Sequence, residues 1–356
     1  MAVTLGKIIL PLPILQGGMG VGVSLEKLAG AVAAKGGMGI ISSALCGYRE
    51  PDFERDPKGA TLRALEKQVK AAKEAAKGAG LVAVNVMVAS GHYREAVLTA
   101  LRAGADAIVC GAGLPRDLPQ LAAQVPESDA ALAPVVSSGR AASILCKLWE
   151  RQGRLPDFLV LEGPQAGGHL GFSAEEAAHP VPLEELLREV LDATAPFRAK
   201  YDRDIPVFVA GGVKDGYEMA RYMELGAAGA QFATRFITTQ ECDAGAGFKQ
   251  ALLDARAEDI AIVKSPVGMP GRALRSPLIK RVQNGEKQVA VKCLGCLSKC
   301  DRETIPYCIS RALLAAVKGD WENGLFFCGA NAGDKTALTT VAQEMDQIVT
   351  EWRNAP

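Results

Sequence analysis

A chain of 356 residues with 49% hydrophobic but only 5% aromatic side chains needs an aliphatic core of Val, Leu, Ile and Ala, the kind built by parallel sheets covered with helices. The length suits one α/β barrel with an appendage. Forty basic against forty acidic residues argue against nucleic acid or an anionic membrane as the main partner, and no apolar run reaches the ~18–20 residues that span a bilayer.

The start, Met1 to Ile8, lacks the basic-then-apolar layout of a signal peptide, which predicts a cytoplasmic protein. Its nine cysteines are then expected as thiols or metal ligands, not as structural disulfides. Through the first 240 residues, short β-branched or apolar runs alternate with stretches of 3.6-residue period. The strand candidates are Pro13–Gly17, Gly39–Ser42, Val82–Val88, Ala107–Gly111, Pro134–Ser138, Phe158–Glu162, Pro206–Ala210 and Ala230–Ala233. Ser24 is placed to cap a helix carrying Leu25, Leu28 and Val32, which Gly36 ends. Leu62 to Lys77 sets Leu62, Leu65, Val69 and Ala72 on one face. Tyr93–Ala103, Leu118–Ala123, Arg140–Arg151, Leu183–Thr194 and Tyr217–Leu225 complete the helices.

Eight strands alternating with helices predict a (β/α)8 TIM barrel over residues 1–240, with an open parallel sheet as the alternative. The count favours the barrel. So do the polar or glycine residues at the strand ends (Gln16, Asn85, Ser137, Glu162, Gly211, Thr234), where a barrel builds its site. Residues 241–356 read as a helical, Cys-rich extension packed on the barrel. Within it, 245–263 looks helical, 264–308 irregular, and Ile309–Lys318 and Thr336–Trp352 helical. Lys264 to Arg272 is turn-rich and reads as either a plain linker or a lid carrying Met269 and Arg272.

Five segments carry the chemistry. Gln16-Gly17-Gly18-Met19 lets backbone lie flat against a planar ligand, with Met19 as a soft contact. Ala166-Gly167-Gly168-His169 is a small-residue run, read as a mobile loop with one group titrating near neutrality. His92 and His179 read as ordinary hydrogen-bonded or exposed histidines. Ala210-Gly211-Gly212 and Ala233-Thr234 follow the last two strands, where barrels bind phosphate with backbone N–H groups. Cys293, Cys296, Cys300 and Cys308 form a C-x2-C-x3-C-x7-C block that suits a [4Fe–4S] cluster or a zinc ion, with free or redox-sensing thiols as the alternative. Cys46, Cys110, Cys146 and Cys242 read as buried small hydrophobes.

Gln16-Gly17-Gly18-Met19, Asn85, Ala166-Gly167-Gly168-His169, Ala210-Gly211-Gly212-Val213 and Ala233-Thr234-Arg235-Phe236 together resemble the nitronate monooxygenase (2-nitropropane dioxygenase-like) family, whose motifs flavin-dependent enoyl-acyl-carrier-protein reductases share. The resemblance covers residues 8–275 and implies FMN in a barrel. Its ring would lie over the first-strand loop and on Asn85, its phosphate on Gly211, Gly212, Ala233 and Thr234, and His169 would be the catalytic base. It implies a small-molecule substrate; a homodimer is a further expectation. Oxidative denitrification of alkyl nitronates with O2 is the first activity implied. The alternative is NAD(P)H-dependent reduction of an enoyl thioester, a quinone or another acceptor. A non-enzymatic redox or metal sensor is the third reading. The cysteine block departs from the family pattern and resembles that of flavin barrels related to dienoyl-CoA reductase, where a cluster feeds FMN.

Overall fold

The computed structural model describes residues 2–173, 175–176, 179–288 and 292–356. A short antiparallel hairpin opens the chain, β1 (Val3–Leu5) against β2 (Ile8–Leu10). Eight parallel strands then close into a barrel: β3 (Ile14–Gln16), β4 (Met38–Ser42), β5 (Leu81–Met87), β6 (Ala107–Gly111), β7 (Ala131–Val136), β8 (Leu159–Glu162), β10 (Val207–Ala210) and β11 (Gly229–Phe232). Every strand candidate falls on one of these, so the expected (β/α)8 TIM barrel is the observed fold.

The strands read as unbroken apolar runs because both faces are buried. Leu15, Ile40, Ala83, Val109, Ala133, Val160 and Phe208 share one cluster inside the barrel, joined by Leu5 and Leu10 of the hairpin. The outward-facing side chains pack under the helices. Local chemistry sets the helix starts: Asp56 accepts from Gly59 N–H with Pro57 following, Ser138 accepts from Ala141 N–H, and Asp215 from Glu218 N–H. The first helix, Glu26–Ala34, departs from expectation. Ser24 does not cap it; the Asp243 carboxylate does so from outside, accepting from Leu25 N–H (2.9 Å) and Leu28 N–H (3.2 Å). Ser24 turns inward to Gln16 and to Met19 N–H instead.

The extension is more regular than expected. The helix from Ala246 stops at Leu253, and Ile260–Lys264 is a strand (β12) pairing with β13 (Pro270–Leu274). Its β-branched Ile260, Ile262 and Val263 favour a pleated surface over a helix. A further helix, Pro277–Gln283, lies in the segment read as irregular. The last helix, Val341–Arg353, starts with a Thr340–Gln343 capping box and buries Val341, Met345 and Ile348 in the barrel's own outer core. No helix among the described residues is long and apolar enough to cross a membrane.

Candidate active site at the barrel mouth

One cavity of about 550 Å³ opens at the C-terminal ends of the strands and runs outward beneath the extension. Gly17, Gly18, Met19, Asn85, Ser137, Glu162, Gly167, Gly168, His169, Ala210, Gly211, Gly212, Ala233 and Thr234 all line it. Gln16 does not. It is wholly buried: its amide accepts from Ile40 N–H (3.1 Å) and donates to Gly17 C=O and Ser24 Oγ, so it ties the first loop to the next strand. Residues not singled out from sequence also face the cavity, among them Gln231, Phe327, Cys328 and Gly329. Gln231 carried a signal, being the polar residue of an apolar strand. Gly329 lies in a run of small residues like those of the other loops.

Two glycines make the floor. A Cβ on Gly18 would come 2.4 Å from Asn85 Cβ, so the loop touches the neighbouring strand end only because that atom is missing. Gly211 has φ +76°, and a Cβ there would meet Gly163 O at 2.6 Å. Gly211→Ala is therefore expected to cost at least ~1 kcal/mol from backbone strain alone and to lower flavin occupancy, measured as bound FMN per chain after gel filtration. Across the gap, Thr234 Oγ accepts from Gly329 N–H (2.9 Å), which leaves its O–H free to donate into the cavity.

His169 is held, not mobile. Gly168–His169 form a two-residue strand (β9) registered on Gly271 and Arg272 of β13. Arg272, buried, donates to Pro164 C=O (2.7 Å) and Ala166 C=O (2.6 Å), so it clamps the histidine loop; it is not a lid residue. Val267 and Met269, from the turn between β12 and β13, do face the cavity. His169 Nε2 lies 2.8 Å from Ser265 Oγ, and the Phe327 ring packs edge-on at 5.0 Å. Burial lowers the imidazole pKa to about 4, so the ring is neutral at pH 7. Glu162 is pushed the other way, up to about 7, by burial. The usual order of the two groups is inverted.

The signs follow. Glu162 binds a proton more tightly in the fold than its ordinary 4.5, so its contribution to stability falls as pH rises from 4.5 through 7. His169 favours the neutral ring, so its contribution is lost as pH falls from 6.5 through 4. An activity profile is expected to bend near pH 7, and Glu162→Gln to remove that bend while leaving a flat profile above about pH 5.

His92 also lines the cavity, half-buried, with neither ring nitrogen hydrogen-bonded in the described structure, which differs from the ordinary role expected of it. Cys46, Cys110, Cys146 and Cys242 are buried as expected. Of the cysteine block, only Cys296 reaches the cavity. Cys293 and Cys300 are exposed, Cys308 is half-buried, and among the described residues no three His, Cys, Asp or Glu side chains are gathered so as to hold a metal ion.

The nitronate monooxygenase family model matches residues 3–351. The chain belongs to the nitronate monooxygenase family. Relatives of this nitronate monooxygenase-family chain include a (3aS,4S,5R,7aS)-5-hydroxy-7a-methyl-1-oxo-octahydro-1H-indene-4-carboxyl-CoA dehydrogenase of Mycobacterium tuberculosis, 29% identical over 77% of this chain and 66% of that one. A probable nitronate monooxygenase of Staphylococcus saprophyticus is 29% identical over 37% of this chain and 36% of its own. The chain thus spans less than two thirds of the length of either relative. Among solved structures, FabK from Thermotoga maritima superposes with a TM-score of 0.72 at 26% identity, covering 97% of this chain and 93% of FabK. Nitroalkane oxidase from Streptomyces ansochromogenes shares the fold, with a TM-score of 0.72 at 20% identity and 96% coverage of both chains.

Proposed function

We propose that this chain is an enzyme that reduces an apolar enoyl thioester with NAD(P)H as the electron donor, which makes the reductase reading the leading one. The observation that carries it is the outer arm of the cavity. Beyond the glycine floor much of the wall is aliphatic or aromatic (Val21, Leu45, Ile309, Leu313, Leu325 and Phe327), interspersed with Thr61, Ser90, His92 and Ser310. A small nitronate needs no such arm, whereas an acyl chain or ring system buries well against it, at about 25 cal/mol per Å2 of apolar area. The Mycobacterium relative is named for a bicyclic carboxyl-CoA, a ligand of this kind.

The chain's residues fit FMN. The left-handed Gly211 and Gly212, with the free Thr234 hydroxyl, form a cradle for its phosphate together with Ala233 and Ala210. Gly17, Gly18 and Met19 with Asn85 would flank its ring, and Ser137, Glu162, Gly167 and Gly168 line the rest of the cavity. Bound FMN supplies two-electron redox chemistry.

His169 acts in this reading as a hydrogen-bond donor. The Ser265 hydroxyl, whose oxygen accepts from Val267 N–H (3.4 Å), is assigned in this reading as donor to His169 Nε2 (2.8 Å). The neutral ring then carries its own proton on Nδ1. Ser265 is buried off the cavity while His169 lines it, which leaves Nδ1–H to meet a carbonyl oxygen that gains charge in the reaction. A ring with pKa about 4 is a poor base for a carbon acid, which counts against the base role expected of it.

Anaerobic stopped-flow tests the assignment. NADH or NADPH should bleach the flavin, and a medium-chain 2-enoyl-CoA should restore its colour. Bleaching by an alkyl nitronate with inertness to both pyridine nucleotides would overturn the proposal in favour of nitronate oxidation.

A further inference from the structure

We infer that Thr61 and His92 form a polar anchor in the outer arm of the cavity, which holds an uncharged oxygen substituent, hydroxyl or ketone, on the acyl group of the substrate. The inference rests on the enoyl thioester reading and specifies the acyl group within it.

Both residues line the cavity. Thr61 lies in the helix Pro57–Ala76, and His92 immediately precedes the helix Tyr93–Arg102. A Lys58–Glu95 ion pair joins these two helices. Thr61 stands about one turn after Lys58, and His92 about one turn before Glu95, so both flank the same junction. The apolar arm runs past it. Ala60, the neighbour of Thr61, clusters with Val21 and Leu45, and Leu313 and Cys296 pack against them. On the other side, Gly91 N–H, next to His92, donates to Cys296 C=O (3.1 Å). Cys296 lines the same cavity and belongs to the surroundings of both residues.

These two side chains stand apart because neither has a hydrogen-bond partner among the described residues. Thr61 is 2% exposed. A threonine inside a helix ordinarily turns its hydroxyl onto a carbonyl three or four residues back. Thr194 does so, donating to Val190 C=O and Leu191 C=O (both 3.0 Å). The Thr61 hydroxyl does not, and its residue faces the cavity. His92 is fixed through its backbone: its N–H donates to Ser90 Oγ (3.2 Å), and its C=O accepts from Ala96 N–H (2.9 Å). Both ring nitrogens are buried and left over. Burial first, and the Lys58 charge second, hold the ring below the ordinary imidazole pKa, so it is neutral at pH 7. It then offers one donor and one acceptor, beside a hydroxyl that is both.

Unpaired polar groups make a wall that discriminates. An apolar group filling this arm strips water from Thr61 and His92 and leaves them unsatisfied, a penalty that an oxygen on the ligand removes. A hydroxyl accepts from one of them and donates to the other; a ketone accepts from both. A carboxylate or an ammonium group would need a counter-charge against these apolar walls, and Lys58 is already held by Glu95.

Flavin reoxidation in the reduced holoenzyme tests the anchor. The substrates are hexenoyl-, octenoyl- and decenoyl-CoA and their counterparts with a hydroxyl or keto group on the penultimate carbon. At the length that reaches the anchor, the oxygenated substrate should show a kcat/KM about 10–100-fold above that of the plain one. Thr61→Val and His92→Phe should each cut that ratio by about tenfold, slowing the oxygenated substrate and speeding the plain one, with bound FMN per chain unchanged. A merely structural loss would slow both substrates. Ratios near one at every length, or a ratio unchanged in both variants, would overturn the inference. If no enoyl-CoA reoxidises the flavin, the thioester reading fails and calorimetry decides the anchor by itself. Thr61→Val should weaken the binding of cyclohexanone or cyclohexanol to the holoenzyme by about tenfold and leave toluene bound as tightly or more so. An equal loss for all three, no loss for any, or no binding of the ketone and the alcohol would then overturn it.

Discussion

Replacing His169 with alanine is expected to slow flavin reoxidation by an enoyl thioester by about 10²–10³-fold, the loss typical of removing one preorganised donor to a developing oxyanion. Single-turnover mixing of reduced enzyme with substrate measures it directly. The assignment of a donor, not a base, makes a second result decisive. His169→Gln retains an N–H group and should recover part of the rate; a base would not be rescued by an amide. Ser265→Ala should leave the imidazole in place, because Phe327 packs against it and β13 still pairs with Gly168–His169. It frees the ring to carry its proton on either nitrogen, so a smaller fall in kcat is expected with little change in KM. Equal rates for wild type and His169→Ala would remove the donor role.

Removing Glu344 should have the largest effect on stability. Its carboxylate and the Arg235 guanidinium lie 2.6 Å apart, with side-chain exposures of 1% and 8%. Lys335 adds a contact at 2.9 Å and Thr339 donates at 2.8 Å. Burial alone would raise the carboxyl pKa, but Arg235, Lys335 and Thr339 outweigh it and hold Glu344 below the usual carboxylate range. The stability it contributes is therefore present above pH 4.5 and is lost as pH falls below that. Glu344→Ala strands Arg235 in the interior, a change that typically costs about 3–5 kcal/mol. Chemical denaturation at neutral pH reads the loss. Arg235 follows Thr234 directly, so the same variant should also release FMN more readily. The double replacement Arg235→Met with Glu344→Leu should recover much of the stability, because it leaves no fully buried charge unpaired; Lys335, the other partner of Glu344, is part-exposed. A Glu344→Ala protein as stable as wild type would mean that the last helix does not brace the phosphate loop.

How much of this was legible in the sequence depended on how local each cause was. Ala107–Gly111 matches its strand end to end, and Leu183 and Tyr93 each open the helix expected of them. The glycine turns at Gly17, Gly18, Gly211 and Gly212 were visible because few other residues allow such close backbone approach. Gln16 misled for an equally physical reason. A polar residue at a strand end can face either the mouth or the backbone of the next strand, and only the closed barrel decides that it bonds Ile40. Ser24 looked like a helix cap until Asp243, over two hundred residues away, took that place.

The order of amino acids thus determined the barrel, the position of its mouth and the small-residue loops that line it, since periodicity and turn chemistry act over a few neighbours. Tertiary structure decided the state of the groups within. His169 titrates near 4 and Glu162 near 7 because the closed barrel removes water from both. Ser265, Arg272 and Phe327 reach the histidine only because β12, β13 and the segment after the Cys308 helix fold back over the mouth. Burial and long-range pairing are properties of the folded whole, so no short stretch of the chain could have announced them.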